Sequence, residues 1–219
     1  NMARAHQLAE DVLARDPENL HASTVAGSYS VEQQDMEAAE KHFGRIVERQ
    51  PQNGRGWLGL GLVRLYQQKH AESIQALDEA VRLMPNNSGT IVALGWAKLA
   101  SRDARAAERT FRQAVAVDRN FAEAHGGLAS ALALQGRADE AQQAAKLANG
   151  LDRMNFGGRF AQSVLFKIRG NTEAATELLV RLMEQAPAPD SKSLMEHLRT
   201  YGMKHLPKTP PGNPDDLKP

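Results

Sequence analysis

Gly54, Gly56 and Gly59 have the spacing G-x-G-x-x-G. In a dinucleotide-binding fold these glycines follow a β-strand and let the backbone approach a pyrophosphate. Here residues 38–49 have the apolar period of an amphipathic helix, which Pro51 ends. The chain also lacks the runs of Val and Ile that are typical of a parallel strand. We therefore expect no nucleotide at these glycines.

The other residues that could do chemistry form no recognisable site. The seven histidines contain no H-x-x-x-H pair, and none is joined to a carboxylate at metal-ligand spacing. The absence of cysteine excludes a disulfide and a thiolate nucleophile. Asn86-Asn87-Ser88 matches a glycosylation sequon, but asparagine is also favoured in turns, and we interpret it as a turn. No Ser/His/Asp or paired-carboxylate set supports catalysis, so we predict a non-enzymatic protein without cofactor or metal.

Composition narrows the class of partner. The chain has 219 residues, of which 42% are hydrophobic and only 5% aromatic, so small side chains carry much of the packing. A net charge of +1 argues against a nucleic acid or an anionic membrane as partner. No apolar run approaches the ~20 residues of a membrane span. Cytoplasm and periplasm both stay open, because a signal or anchor would lie upstream of residue 1.

The elements that must position any site follow a 34-residue register. Between residues 54 and 87 the chain has Trp57, Leu60-Gly61, a second apolar-periodic run and then Pro85. At the position of Leu60 the successive units hold Ala26, Leu60, Leu94, Leu128 and Gln162. A small residue follows each of them, as required where the two helices of a unit cross closely.

This pattern resembles the tetratricopeptide repeat family, whose unit is a helix–turn–helix. The resemblance implies an all-α fold, a right-handed α-solenoid with a C-terminal capping helix. We expect complete units at 20–53, 54–87, 88–121, 122–155 and 156–189. Residues 1–19 are predicted to be the second helix of an incomplete unit, 190–205 the capping helix and 206–219 a Pro-rich tail. The half unit suggests a fragment of a longer protein, and a homodimer through it is also predicted.

Two features of single units carry further expectations. Gly157-Gly158 and Gln162 depart from the pattern, so the first helix of the last unit should be looser than the others. Trp57 should pack inside the stack, and Trp57→Ala is expected to cost roughly 3–5 kcal/mol through a cavity.

The resemblance also implies a binding surface, because the first helices of such units line a concave groove. The candidate groove residues are Leu58, Gly59, Leu62, Leu65, Tyr66, Val92, Trp96, Leu99, Ser130 and Leu134. Small residues such as Gly59 should let a partner backbone approach, and apolar walls suit a helical or extended segment. Leu62 and Trp96 are the sharpest candidates, since a polar side chain would be ordinary there. The Asn residues with which family members clamp a terminal carboxylate are missing, so such a clamp is not expected.

We predict an adaptor or scaffold that binds an apolar peptide segment in this groove. Two alternatives for the groove stay open: its residues simply pack together, or the chain's own C-terminal segment fills it. Two alternatives for the function also stay open. One is a structural arm of a bacterial envelope machine for pilus biogenesis, polysaccharide export or cytochrome maturation, and the other is the binding part of an enzyme whose catalytic domain lies elsewhere.

Overall fold

The computed structural model describes residues 2–184, which form eleven α-helices. Their bounds are α1 (Met2–Arg15), α2 (Leu20–Glu32), α3 (Met36–Arg49), α4 (Gly54–Tyr66), α5 (His70–Leu83), α6 (Ser88–Ala100), α7 (Ala104–Val117), α8 (Ala122–Leu134), α9 (Ala138–Leu151), α10 (Phe156–Ile168) and α11 (Thr172–Glu184). Each helix packs on the next, which confirms the all-α solenoid. The predicted capping helix at 190–205 and the tail at 206–219 lie outside the described residues. Among the helices that are described, none has both the length and the apolar content needed to cross a bilayer.

We number the units by their helices: α2–α3, α4–α5, α6–α7, α8–α9 and α10–α11 are units 1 to 5. Asparagine sets the start of four of the first helices. The side chains of Asn19, Asn53, Asn87 and Asn155 each accept a hydrogen bond, at 2.9–3.0 Å, from the backbone N–H three residues on. This is the hydrogen bond that an N-cap residue usually makes. Asn87, inside the sequon-like stretch, therefore marks the turn before α6.

A large side chain from the second helix fills the space between two first helices. Phe43 of unit 1 lies against Gly27 of the same unit and Gly59 of the next, where added Cβ atoms would lie 3.0 and 2.4 Å from its ring. Phe111, two units further along, lies against Gly95 and Gly127, at 2.5 and 2.2 Å. At Gly59, Gly95 and Gly127 an added Cβ would overlap the ring, so glycine is required there, whereas at Gly27 it would make a tight contact.

Charged clamps recur with the same two-unit spacing. The carboxylate of Glu40 in unit 1 accepts hydrogen bonds from Gln67 at 2.9 Å and from Lys69 at 3.0 Å, both in unit 2. Burial alone would raise the pKa of Glu40, but bonds from Lys69, Gln67 and Arg64 outweigh it and hold the pKa below its ordinary value. Ile74 takes the corresponding position in unit 2 and cannot form this clamp.

Glu108 in unit 3 repeats the arrangement toward unit 4. It accepts a hydrogen bond from Gln135 at 3.0 Å, and Nη1 of Arg137 donates to both of its oxygens at 2.8 and 2.9 Å. The opposing effects are the same: burial raises the pKa, and bonds from Gln135, Arg112 and Arg137 lower it further than burial raises it. The clamps thus join units 1 and 2 into a first pair, and units 3 and 4 into a second pair.

The last unit is joined to the second pair by direct backbone contact. A Cβ added to Gly157 in α10 would lie 2.4 Å from the carbonyl carbon of Gly126 in α8. The hydroxyl of Ser130 donates to the carbonyl oxygen of Gly157 at 2.9 Å. The expectation of a looser helix in this unit is therefore wrong: Gly157 and Gly158 let α10 approach α8 closely, and both are buried.

Trp57 is only partly buried, against a core formed by α3, α4 and Ala76 of α5. Its indole N–H donates to the carbonyl oxygen of Pro51 at 2.8 Å. A cost of 3–5 kcal/mol applies to a fully buried aromatic ring, so the expectation for Trp57→Ala is too high.

Candidate binding groove

The first pair contains an open cleft of about 380 Å³ between α2 and α4. Val31, Leu58, Leu62 and Tyr66 supply its apolar walls, and each of these side chains is partly exposed. We call this cleft the open groove. Its apolar lining is accessible over two consecutive units, which is the form of surface that accepts a peptide segment.

Hydroxyl groups on the α2 side of the open groove are already satisfied within the helix. The Thr24 hydroxyl donates to the carbonyl oxygen of Leu20 at 2.8 Å, and that of Ser28 donates to the carbonyl oxygen of Thr24 at 2.9 Å. Because both donors are used, a partner need not supply acceptors for them. This side of the cleft can therefore be covered by an apolar surface.

Gly59 lines the open groove, but its size has a second cause. The Phe43 ring fills the space in which a side chain at this position would lie. A glycine here is required for packing inside the solenoid, whether or not a partner backbone approaches it. The small size of residue 59 is therefore explained by the Phe43 ring and is no evidence that a partner backbone approaches.

Several candidate residues do not line an open groove, because they are buried in the core. These are Leu65, Val92, Leu99 and Ser130. Leu65 packs with Leu77 and Leu94 between units 2 and 3, whereas the other three belong to the closely packed second pair and unit 5. Leu134 is partly buried against the same large core.

Trp96 closes the groove in the second pair instead of lining an open one. Its ring centroid lies 5.4 Å from that of Phe111 and 5.7 Å from that of Phe156. Phe156 in turn stacks on Phe160 at 6.0 Å. This aromatic cluster occupies the place where the open groove would otherwise continue, because α10 packs closely against α8.

Arg55 and Met84 line the open groove but were not among the candidates chosen from sequence. Arg55 lies in α4, one of the first helices that the family resemblance assigns to the concave side. That signal could have identified it. Met84 is the C-cap residue of α5, and no position in the helical pattern indicates that it reaches the groove.

Titratable side chains do not gather into a metal site in the part of the chain that the structure describes. No group of three or more His, Asp or Glu residues between 2 and 184 is placed to hold a metal ion. Individual histidines have local contacts: His6 stacks on Tyr29 at 4.1 Å, and Nε2 of His125 lies 2.8 Å from the carbonyl oxygen of Arg119.

A model of the tetratricopeptide repeat family matches residues 24–88 and 92–152, more than half of the chain. The chain belongs to the tetratricopeptide repeat family. Membership of this family, together with the solenoid fold, makes the chain a protein–protein interaction module. Members are generally non-catalytic.

Three individual proteins show what this tetratricopeptide chain is similar to. It is 30% identical to "Cellulose synthase operon protein C" of Xanthomonas axonopodis pv. citri (strain 306) over 90% of its own length, but it spans only 15% of that protein. The structure of PilW, described as a type IV pilus biogenesis factor, has a TM-score of 0.69 at 21% identity, covering 91% of this chain and 90% of PilW. YrrB, described as having an unusual peptide-binding site, has a TM-score of 0.58 at 18% identity, covering 88% of this chain and 97% of YrrB. At these identities the solved structures show a shared fold alone.

Proposed function

We propose that the first pair binds an apolar helical or extended segment of another protein in the open groove. The observation that carries this proposal is the accessible apolar lining formed by Leu58, Leu62 and Tyr66 beside satisfied polar groups. Burying such a lining is favourable by roughly 25 cal/mol per Å² of apolar surface before the costs of association are deducted. The partly exposed Leu62 lies within this lining and is the best single position for a test.

The test selects short peptides from a random displayed library on the full chain and then measures their affinity for variants by fluorescence anisotropy. Leu62→Glu places a charge in the apolar lining and should weaken the selected peptides by at least about tenfold, the equivalent of one lost side-chain burial. Leu147→Glu is the matched control, because Leu147 is 56% exposed on α9 and lies away from the groove. Both variants should keep the unmodified chain's circular dichroism and melting temperature.

Unchanged peptide affinity in a folded Leu62→Glu variant would overturn this proposal. An equal loss in the Leu147→Glu variant would do the same, because it would place the contact elsewhere on the surface.

A second candidate function is an interaction arm in an envelope assembly that makes or exports a polysaccharide. The similarity to the cellulose synthase operon protein, which extends over 90% of this chain, favours it. Deleting the part of the host gene that encodes the five units should then lower polysaccharide output. A Leu62→Glu allele should reproduce the loss if the open groove makes the contact with the assembly. Normal output in the deletion strain would exclude this role.

We also propose that two copies of the chain form a homodimer through α1. Leu8 and Val12 on this helix are 59% and 40% exposed. If these side chains meet in a dimer, sedimentation velocity should show a dimer for the unmodified chain and a monomer for Leu8→Glu. A monomer in both samples would exclude this contact.

A further inference from the structure

Arg55 gives the open groove a charge. It is exposed, and it is the charged residue among the side chains that line the cleft. No ion pair described for residues 2–184 includes it. Its guanidinium can therefore receive a carboxylate from a bound molecule in the bidentate geometry that arginine favours.

The starts of α4 and α6 lie at the same edge of the groove as Arg55. Arg55 and Asn87 lie at the edge where α4 and α6 begin, whereas Val31 and Tyr66 lie near the opposite ends of α2 and α4. None of α2, α4 and α6 has an acidic residue in its first turn. The partial positive charges at these helix starts are therefore not offset by carboxylates of the same turn.

The second pair shows that the solenoid does not require a cation at this position. Glu123 takes the place of Arg55 two units further along, at the start of α8. There the space that corresponds to the groove is filled by the ring of Trp96 and its partners. The fold accepts either sign of charge, and arginine occurs where the groove is open.

We propose that the occupant of the open groove is an acidic amphipathic segment of a partner protein. Its apolar side chains would lie on Leu58, Leu62 and Tyr66, and an Asp or Glu at its flank would pair with Arg55. This inference rests on the proposed function of the groove and adds the charge of the partner to it. It also predicts at which edge of the groove the acidic flank lies, because Arg55 stands at the edge where α4 begins.

The experiment uses the random displayed peptide library on the full chain, in parallel selections on the unmodified protein, Arg55→Gln and Arg105→Gln. Arg105 is an exposed arginine on α7 that does not line the groove, so its variant controls for the loss of one positive charge. Peptides enriched on the unmodified chain and on Arg105→Gln should share an acidic residue beside their apolar positions. Enrichment of that residue should disappear with Arg55→Gln.

The leading synthetic peptide then gives the size of the effect. Replacing its acidic residue by glutamine should weaken binding about two- to fivefold, the range of an exposed ion pair, and the same change should have no effect on Arg55→Gln. Higher salt should reduce the difference, because it screens exposed charges. Peptides that bind and are lost with Leu62→Glu, yet show no acidic preference, would overturn this inference alone. A library that yields no binder would overturn the proposed function as well.

Discussion

The two pairs of units have the same register, but only the first keeps its groove open. Ser28, Leu58 and Leu62 line the open groove, and the residues two units further along are Trp96, Gly126 and Ser130. In the second pair a large ring thus stands where the first pair has a hydroxyl, and small residues stand where it has leucines. Small residues on α8 let α10 approach, and the Trp96 ring fills what remains. Side-chain volume at a few positions decides whether a surface becomes a site or a core.

The contact between α8 and α10 should be the most sensitive point of this comparison. Gly157→Ala would place a methyl group 2.4 Å from the backbone of Gly126, which cannot rotate away. We expect a loss of about 3 kcal/mol in the free energy of unfolding, at the upper end of overpacking effects, measured by urea denaturation.

Gly150→Ala is the control for that prediction. Gly150 lies in α9 with no atom within 4 Å of an added Cβ. Alanine should there raise the stability by about 0.5–1 kcal/mol through helix propensity. Equal effects at the two glycines would contradict the close contact between α8 and α10.

Trp96→Ala should have the next largest effect. Its ring contacts Phe111 and Phe156 and is only partly buried, so we expect a loss of about 2 kcal/mol, below the value for a fully buried ring. Thermal unfolding followed by near-UV circular dichroism would also report the altered aromatic cluster. A variant as stable as the unmodified chain would mean that the second groove is not closed by this residue.

The clamp of the second pair should contribute less. Glu108→Gln loses the charge that Arg137 and Gln135 bind, and the side chain is only 13% exposed. We expect a loss of about 1.5 kcal/mol at neutral pH, the lower end for hydrogen bonds to charged groups. Glu40→Gln is the matched change in the first pair, where the side chain is 28% exposed, and it should cost less.

The pH dependence of this difference has a defined sign. The pKa of Glu108 is lowered in the folded chain, so folding stabilises the ionised carboxylate relative to the protonated one. The stabilisation is therefore complete above the ordinary Glu value of about 4.3 and is lost as the pH falls through the lowered pKa. Urea denaturation of the unmodified chain and of Glu108→Gln, from neutral to acidic pH, should show their free energies of unfolding converging as the pH falls through the lowered pKa of Glu108. A constant difference down to the acid limit would contradict this.

The family resemblance identified the helical register because each unit repeats local signals. Small residues after the Leu60 position, and asparagine before most first helices, act within a single unit and are visible in the sequence. The two-unit spacing of Phe43 and Phe111, and of Glu40 and Glu108, is also present in the sequence. Its meaning depends on Gly59, Gln67 and their counterparts in the next unit, so it becomes clear only when neighbours are stacked.

Which part of the groove is open and which part is buried could not be predicted from single positions. Leu58 and Val92 occupy the same position of successive units, on first helices that the resemblance assigns to the concave side, yet Leu58 is partly exposed and Val92 is buried. Val92 lies in the large core that includes residues of α8 and α10, whereas Leu58 packs at the edge of the smaller core between units 2 and 3. This difference depends on the neighbouring units, and no residue of unit 3 indicates it alone.

The smallest expected effect lies in the open groove and tests where its surface ends. Leu62→Ala should change the free energy of unfolding by less than about 0.5 kcal/mol, because the side chain belongs to none of the buried clusters. Leu65, three residues along the same helix, is 5% exposed, and its alanine variant is the buried control with a cost of about 2–5 kcal/mol. If Leu62→Ala destabilises the chain as strongly as Leu65→Ala, then the cleft is already closed in solution and the first pair resembles the second. A small effect, together with lost peptide binding, would mean that Leu62 is kept for a partner and contributes little to the fold.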